Sequence, residues 1–174
     1  MKVSMRGICK AFGPVRVLDK VDFTLHGGEI HALMGENGAG KSTLMKILSG
    51  VYQPDSGSVE VDGQVVAIRS TRDAEAAGIA IIHQELNLIP QLSVMENLFL
   101  GREPSRFGVI QRAAMRQQAR AQLDALGASQ IDVDAEAGSL SIGQQQMVEI
   151  AKALAMDARV LIMDEPTAAL SARE

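Results

Sequence analysis

Tryptophan is absent from this 174-residue sequence, tyrosine occurs once, and phenylalanine only four times. A core without large rings must be aliphatic, built from Ile, Val, Leu, Met and Ala. Cysteine also occurs once, at Cys9. It has no internal disulfide partner, which fits a reducing compartment. It reads as a small apolar strand residue. No apolar run approaches the roughly 20 residues needed to span a bilayer. The N-terminus shows no basic-then-apolar signal segment, so a membrane role would have to come through a partner. Basic residues do not outnumber acidic ones: 17 against 21 give a net charge of −4. Such a balance exerts no global pull on nucleic acid or anionic lipid. A local cationic site is still compatible with it, and Lys41 supplies one.

What is present is a globular composition and an alternation of strand and helix signals. Val3 to Ala11 and Val15 to Leu25 read as strands around a Gly13-Pro14 turn. Glu29 to Met34 is an apolar run of strand length that leads directly into a glycine-rich loop. Leu44, Ile47 and Leu48 recur at helical spacing before Gly50 stops the helix. Ser58 to Val61 and Gln64 to Ala67 flank Asp62-Gly63, a strong hairpin signal. Ser70 to Ala77 reads as a short helix, and Ile79 to Ile82 as a strand buried on both faces. Helices are expected over Val94 to Leu100, Arg112 to Leu126 and Gln144 to Met156, and a strand over Val160 to Met163. The pattern predicts an α/β core of parallel strands with a strand-free helical subdomain, at about 86–140, inserted between two of them.

Gly35-Glu36-Asn37-Gly38-Ala39-Gly40-Lys41-Ser42 matches the phosphate-loop pattern Gly-x-x-x-x-Gly-Lys-Ser/Thr in full. Its glycines let the backbone curl until successive N–H groups converge on phosphate oxygens. The following helix adds its positive N-terminal end. Gly35, Asn37, Gly38, Ala39, Gly40, Lys41, Ser42 and Thr43 are therefore candidate contacts to ATP. Lys41 would bridge the outer phosphates, and the Ser42 hydroxyl would be a ligand for Mg²⁺.

The strand over Val160 to Met163 ends in Asp164-Glu165. Strand tips of a parallel sheet gather at its carboxyl edge, where ligands bind. Asp164 is a candidate Mg²⁺ ligand, directly or through water. Glu165 points away from its neighbour because strand side chains alternate. It is a candidate base for the water that attacks the terminal phosphate. Without the phosphate loop, the same pair would read as a solvated acidic turn.

With these residues in place the chain resembles the nucleotide-binding domains of ATP-binding-cassette (ABC) transporters over essentially its whole length. Leu140-Ser141-Ile142-Gly143-Gln144 is similar to that superfamily's Leu-Ser-Gly-Gly-Gln signature. The resemblance implies a P-loop NTPase core: a mixed, mainly parallel sheet with flanking helices and an N-terminal antiparallel β part. It divides the chain into a catalytic core at 1–85 and 145–174 and a helical subdomain at 86–144. It implies that Ser141 and Gly143 face the nucleotide of a second such domain. Ser141 also reads as a plain helix N-cap, and both roles can hold. It implies that Gln84 touches Mg²⁺ and takes part in catalysis beside Lys41 and Glu165. Phe12 takes the place of the aromatic that stacks on adenine, although a phenylalanine at a strand end is often simply core. His83 reads as a strand-end residue, with no metal-ligand cluster around it.

Further stretches are similar to importers of the ribose, galactose and xylose type. They are Ile-Ile-His-Gln-Glu-Leu-Asn-Leu, Glu-Asn-Leu-Phe-Leu-Gly-Arg-Glu and Gln-Gln-Gln-Met-Val-Glu-Ile-Ala-Lys-Ala-Leu. By that likeness the chain is the N-terminal part of a first cassette. The implied function is a monosaccharide-transporting ATPase, peripheral on the cytoplasmic face of the cell membrane. Its partners would be a second nucleotide-binding domain, a membrane permease and, indirectly, a sugar-binding protein, with no nucleic acid. Two other readings remain: a soluble ABC ATPase acting on a macromolecule, and a nucleotide-binding fragment that does not hydrolyse. Two positions depart from the family pattern, Ile142 for the first signature glycine and Ser171 for the usual aspartate. The family's switch histidine follows a further strand beyond Glu174. The expectation for this chain alone is nucleotide binding with slow turnover, and an exposed edge beside the Val160 strand.

Overall fold

A computed structural model of the chain describes residues 1–36, 38–82 and 86–163. Two compact units emerge. One holds Met1–Ala80 with Ala158–Ile162; the other, among the described residues, holds Ile81–Asp157 with Met163.

The first unit begins with β1 (Val3–Phe12) and β2 (Val15–Leu25), an antiparallel pair running from Val3 opposite Leu25 to Phe12 opposite Val15. After α1 (Lys41–Leu48) come β3 (Ser56–Val61) and β4 (Gln64–Val66). They complete a four-stranded sheet in the order β2-β1-β3-β4. Its pairings are all antiparallel, so the expected antiparallel N-terminal part is formed. Asp62 and Gly63, with φ of 50° and 82°, make the tight turn between β3 and β4 that their dipeptide signals. Val3, Met5, Ile8 and Val59 are buried in this sheet, and so is Ser4 between the first two. α2 (Thr71–Ala76) starts at Ser70, whose hydroxyl accepts the Asp73 N–H at 3.3 Å.

The strand expected over Glu29 to Met34 is not formed. Residues 29–36 have no ladder partner among the described strands, and Ile30 is 101% exposed. An apolar run becomes a strand only when a neighbour satisfies its N–H and C=O groups. Here local contacts dominate instead: Glu29 accepts the His26 N–H at 2.9 Å and lies 3.0 Å from His31 Nδ1. Of the strands expected for a parallel core, β5 (Ile79–Ile82) and β8 (Val160–Met163) do form and pair with each other.

The second unit is an aliphatic helical cluster. α3 (Val94–Phe99), α4 (Arg112–Ala125) and α5 (Ile142–Leu154) contribute Met95, Leu98, Met115, Leu123, Val148 and Ala151 to one buried core. The apolar spacing along α4 and α5 places these residues on single faces. A boundary at 144 and 145 cuts through α5, whose buried side belongs to this cluster. The segment 90–95 is laced to 133–138 by backbone bonds, among them Met95 N–H to Val133 O at 2.9 Å. Arg116 makes a two-pronged contact with Asp134, the shortest leg 2.8 Å, and holds its carboxyl below the usual range. A short hairpin, β6 (Ser105–Arg106) and β7 (Val109–Ile110), occupies a stretch expected to lack strands. Its turn at Phe107-Gly108 takes positive φ at both positions, the geometry of a two-residue hairpin.

Candidate functional site

The start of α1 carries the first group of candidates. Gly40 is the N-cap, with φ of 88° and no side-chain hydrogen bond to the helix. A methyl group at this position would lie 2.7 Å from Leu18 Cδ2 and 3.0 Å from the Val17 carbonyl oxygen. Only glycine accommodates both the left-handed backbone and this close approach to β2. The first turn of α1 contains no acidic residue. No side chain of the cap or of that turn offers the leading N–H groups an acceptor or a counter-charge.

Lys41 curls back over this loop. Its ammonium donates to the Gly35 carbonyl at 2.7 Å and to the Glu36 carbonyl at 2.9 Å. The Ala39 N–H returns to the Glu36 carbonyl at 3.2 Å. The cation is thus anchored to the loop backbone, and Ser42 and Gly38 beside it are exposed. A curled backbone, a tethered ammonium and an uncapped helix start form an arrangement suited to a polyanion.

Phe12 lies in the same unit, at the hairpin end of β1. Lys10, two residues before it, pairs with Leu18, the side chain that abuts Gly40. Phe12 is 42% exposed. Tyr52 meets it edge-on, with ring centroids 5.3 Å apart and planes at 68°. Asp55 ties the segment after α1 to this strand end: it accepts from Lys10 Nζ at 2.8 Å and from the Ala11 N–H at 2.7 Å. These bonds, that to Lys10 first, hold its carboxyl below the ordinary carboxylate value.

The second unit carries Ser141 and Gly143, both at the start of α5. Ser141 Oγ accepts the Gln144 N–H at 3.3 Å, and Gln144 Oε1 accepts the Ser141 N–H at 3.0 Å. This is a complete capping box. Ile142, in place of the usual glycine, is 58% exposed. Its added bulk therefore lies on the accessible side of the helix start.

Asn37, Gln84, Asp164 and Glu165 lie outside the described residues, as do His83 and the stretch Ala168 to Ser171. Among the described residues no group of three or more His, Cys, Asp or Glu could hold a metal ion. The proposed Mg²⁺ set combines the exposed Ser42 hydroxyl with the Gln84 carbonyl and the Asp164 carboxylate. It is all oxygen, and that hard chemistry fits Mg²⁺.

Sequence reasoning missed several supporting residues. Asp55 gives no local signal, because its partners are 44 and 45 positions away. Glu149 is buried on α5 and accepts the Asn87 N–H at 3.0 Å; a charge inside an apolar helical face was its available signal. Asn97 is fully buried and bonds Ile89 in both directions, at 2.8 and 3.0 Å, as well as the carbonyls of Leu92 and Ser93. The polar side chain of Asn97 beside the apolar residues Val94, Met95, Leu98 and Phe99 could have flagged it.

Comparison with known proteins places these features in context. The family model described as ABC transporter matches residues 18–168. The chain is 79% identical over 174 residues to the ribose import ATP-binding protein RbsA of Chromobacterium violaceum, covering 100% of this chain and 35% of that protein. A nucleotide-free ATP-binding cassette from an ABC transporter superposes with a TM-score of 0.84 and 27% identity, over 98% of this chain and 72% of that one. A dimeric ATP-binding cassette with ADP and Pi, in a post-hydrolysis state, superposes with a TM-score of 0.78 and 27% identity, over 98% and 77%. The fold is therefore that of the ATP-binding cassettes. The chain spans 35% of the length of its curated ribose-import relatives.

Proposed function

Because the chain belongs to the ABC transporter family, we propose that it binds Mg-ATP at the phosphate loop and supplies hydrolysis that powers monosaccharide import through a separate membrane permease. The observation that carries this reading is the start of α1: an N-terminus without a side-chain cap, beneath a lysine anchored 2.7 Å from the loop backbone. An arrangement of this kind attracts phosphate through backbone N–H groups and one tethered cation. The similarity to a ribose import ATP-binding protein supports the cargo class. No helix among the described residues is long and apolar enough to cross a membrane.

In this reading Gly35, Asn37, Gly38, Ala39, Gly40 and Thr43 surround the phosphates with backbone groups. Lys41 balances charge on the outer phosphates. Ser42, Gln84 and Asp164 hold Mg²⁺, which when bound neutralises phosphate charge and fixes the phosphate geometry. Glu165 accepts a proton from the attacking water. Phe12 stacks on the base. Ser141 and Gly143 present the start of α5 to the nucleotide of a second domain; the dimeric cassette with ADP and Pi supports that assembly. In the helical subdomain the segment Gln91 to Glu103 is the permease-facing part. A sugar-binding protein would act indirectly, through the permease.

Calorimetry with ATP and magnesium tests the first step, and Glu165→Gln tests the second. The variant should retain ATP binding while hydrolysis is abolished. Unchanged turnover would remove Glu165 from its role, and no heat of binding in well-folded wild-type protein would remove the nucleotide site. Co-purification with ribosomes or DNA instead of a permease would redirect the function to a macromolecular substrate.

A further inference from the structure

The segment after α1 was not expected to take part in nucleotide binding, yet it links the last turn of α1 to the strand end that carries Phe12. Tyr52 donates its N–H to the Lys46 carbonyl at 3.0 Å, which fastens it to the last turn of α1. The Lys46 ammonium lies 5.7 Å from the Tyr52 ring centroid on its face. From this position Tyr52 meets Phe12 edge-on. The Lys10 ammonium lies 5.6 Å from the Phe12 centroid, and Asp55 fixes Lys10 in turn. The Asp55 N–H also donates to the Cys9 carbonyl at 2.9 Å. Phe12 is thus bounded by Tyr52 in an edge-to-face contact and by Lys10 over its ring, with 42% of its surface still exposed.

We propose that Tyr52 is a positioning residue for the nucleobase: it sets the plane of Phe12 and ties that plane to α1, whose opposite end holds the phosphates. The proposal rests on the reading of Phe12 as the base-stacking ring. The physical argument is geometric. A phenylalanine at a strand end rotates freely about two torsions unless something packs against it. A stacking ring that is already oriented loses less freedom when the base arrives. An edge-to-face partner supplies that orientation, and the exposed 42% of Phe12 leaves room for a base.

The sequence contains one tyrosine and no tryptophan, so the tyrosine emission of the chain reports on Tyr52 alone. Mg-ATP should change that emission, whereas magnesium with inorganic tripolyphosphate should not. An emission that ignores ATP, or responds equally to both ligands, overturns the proposal. Titration calorimetry of the chain with the same two ligands provides the second arm. Tyr52→Leu should weaken ATP binding about fivefold, the size of an aromatic edge contact, and leave tripolyphosphate binding unchanged. Tyr52→Phe should preserve both. If Tyr52→Leu is silent while Phe12→Leu weakens ATP, Tyr52 has no such role and the stacking role of Phe12 stands. If both variants are silent toward ATP, the reading of Phe12 fails and the proposal fails with it. Equal losses for ATP and tripolyphosphate in Tyr52→Leu would make Tyr52 a support of the phosphate loop, again overturning the proposal.

Discussion

The helices α1 and α5 begin in opposite ways. α1 starts at Gly40 in a left-handed conformation with no side-chain cap, whereas α5 starts at Ser141 with both bonds of a capping box. Each helix start exposes N–H groups and a partial positive charge. In α5 the chain satisfies part of that demand itself, through Ser141 and Gln144. In α1 it leaves the demand to be met from outside and brings Lys41 to the same place. The contrast separates a helix start without a side-chain cap from one that the chain caps itself. A serine cap does not preclude a later phosphate contact, because its hydroxyl hydrogen is still available to donate.

The largest expected effect is at the open end. Lys41→Ala should weaken ATP binding by roughly a hundredfold, the loss of charge-assisted bonds to phosphate, measured by calorimetry. Ser141→Ala should leave ATP binding by the chain alone unchanged; a comparable loss at both positions would erase the contrast. Gly40→Ala comes next. The left-handed backbone and the contact with Leu18 should cost about 1–3 kcal/mol, seen as a lower unfolding midpoint, with nucleotide binding impaired as well.

At the closed end the expected effects are smaller. Ser141→Ala should cost about 1 kcal/mol through the lost cap, lowering the melting temperature by about 2–4 °C. Ser141→Asp should keep the cap and the stability. It should nevertheless suppress hydrolysis in the assembled protein, because its charge would face phosphate. Normal hydrolysis by that variant would confine Ser141 to capping.

The smallest effect is a pH dependence at α3, which carries the same kind of box. The Ser93 hydroxyl and then the Ser93 N–H hold Glu96 below its ordinary value of 4.5, and Arg112 adds to the effect. Unfolding returns Glu96 to that ordinary value, so in acid the unfolded chain binds the extra proton. The contribution is full above the ordinary value and is lost as pH falls through the lower, folded one. Amide-exchange protection at the start of α3, taken relative to the intrinsic rate at each pH, should therefore fall in acid, and Glu96→Gln should flatten that response. A response unchanged in the variant would assign it to another group.

Legibility followed the range of the interactions. The Ser141 cap, the Asp62-Gly63 turn and the buried faces of α4 and α5 depend on residues within a few positions of one another. Sequence spacing therefore announced them. The run Glu29 to Met34 looked like a strand because its composition is right, but a ladder requires a partner and none pairs with it among the described residues. The hairpin at 105–110 escaped notice because its strands are two residues long, too short for any periodicity. In the candidate site, Gly40, Lys41 and Ser42 were named by a local motif. Asp55 and Tyr52 were not, since their partners are distant in the chain.

By itself, then, the sequence determined the phosphate-loop motif, the signature motif, their order, and the family they imply. All of these are written in short contiguous stretches whose backbone chemistry is local. Only the tertiary structure decided which groups converge on Phe12, which carboxylates are buried or paired, and which apolar segment goes without a ladder. Those outcomes depend on contacts between residues tens of positions apart, and chain geometry selects among them only once the sheet and the helices have packed.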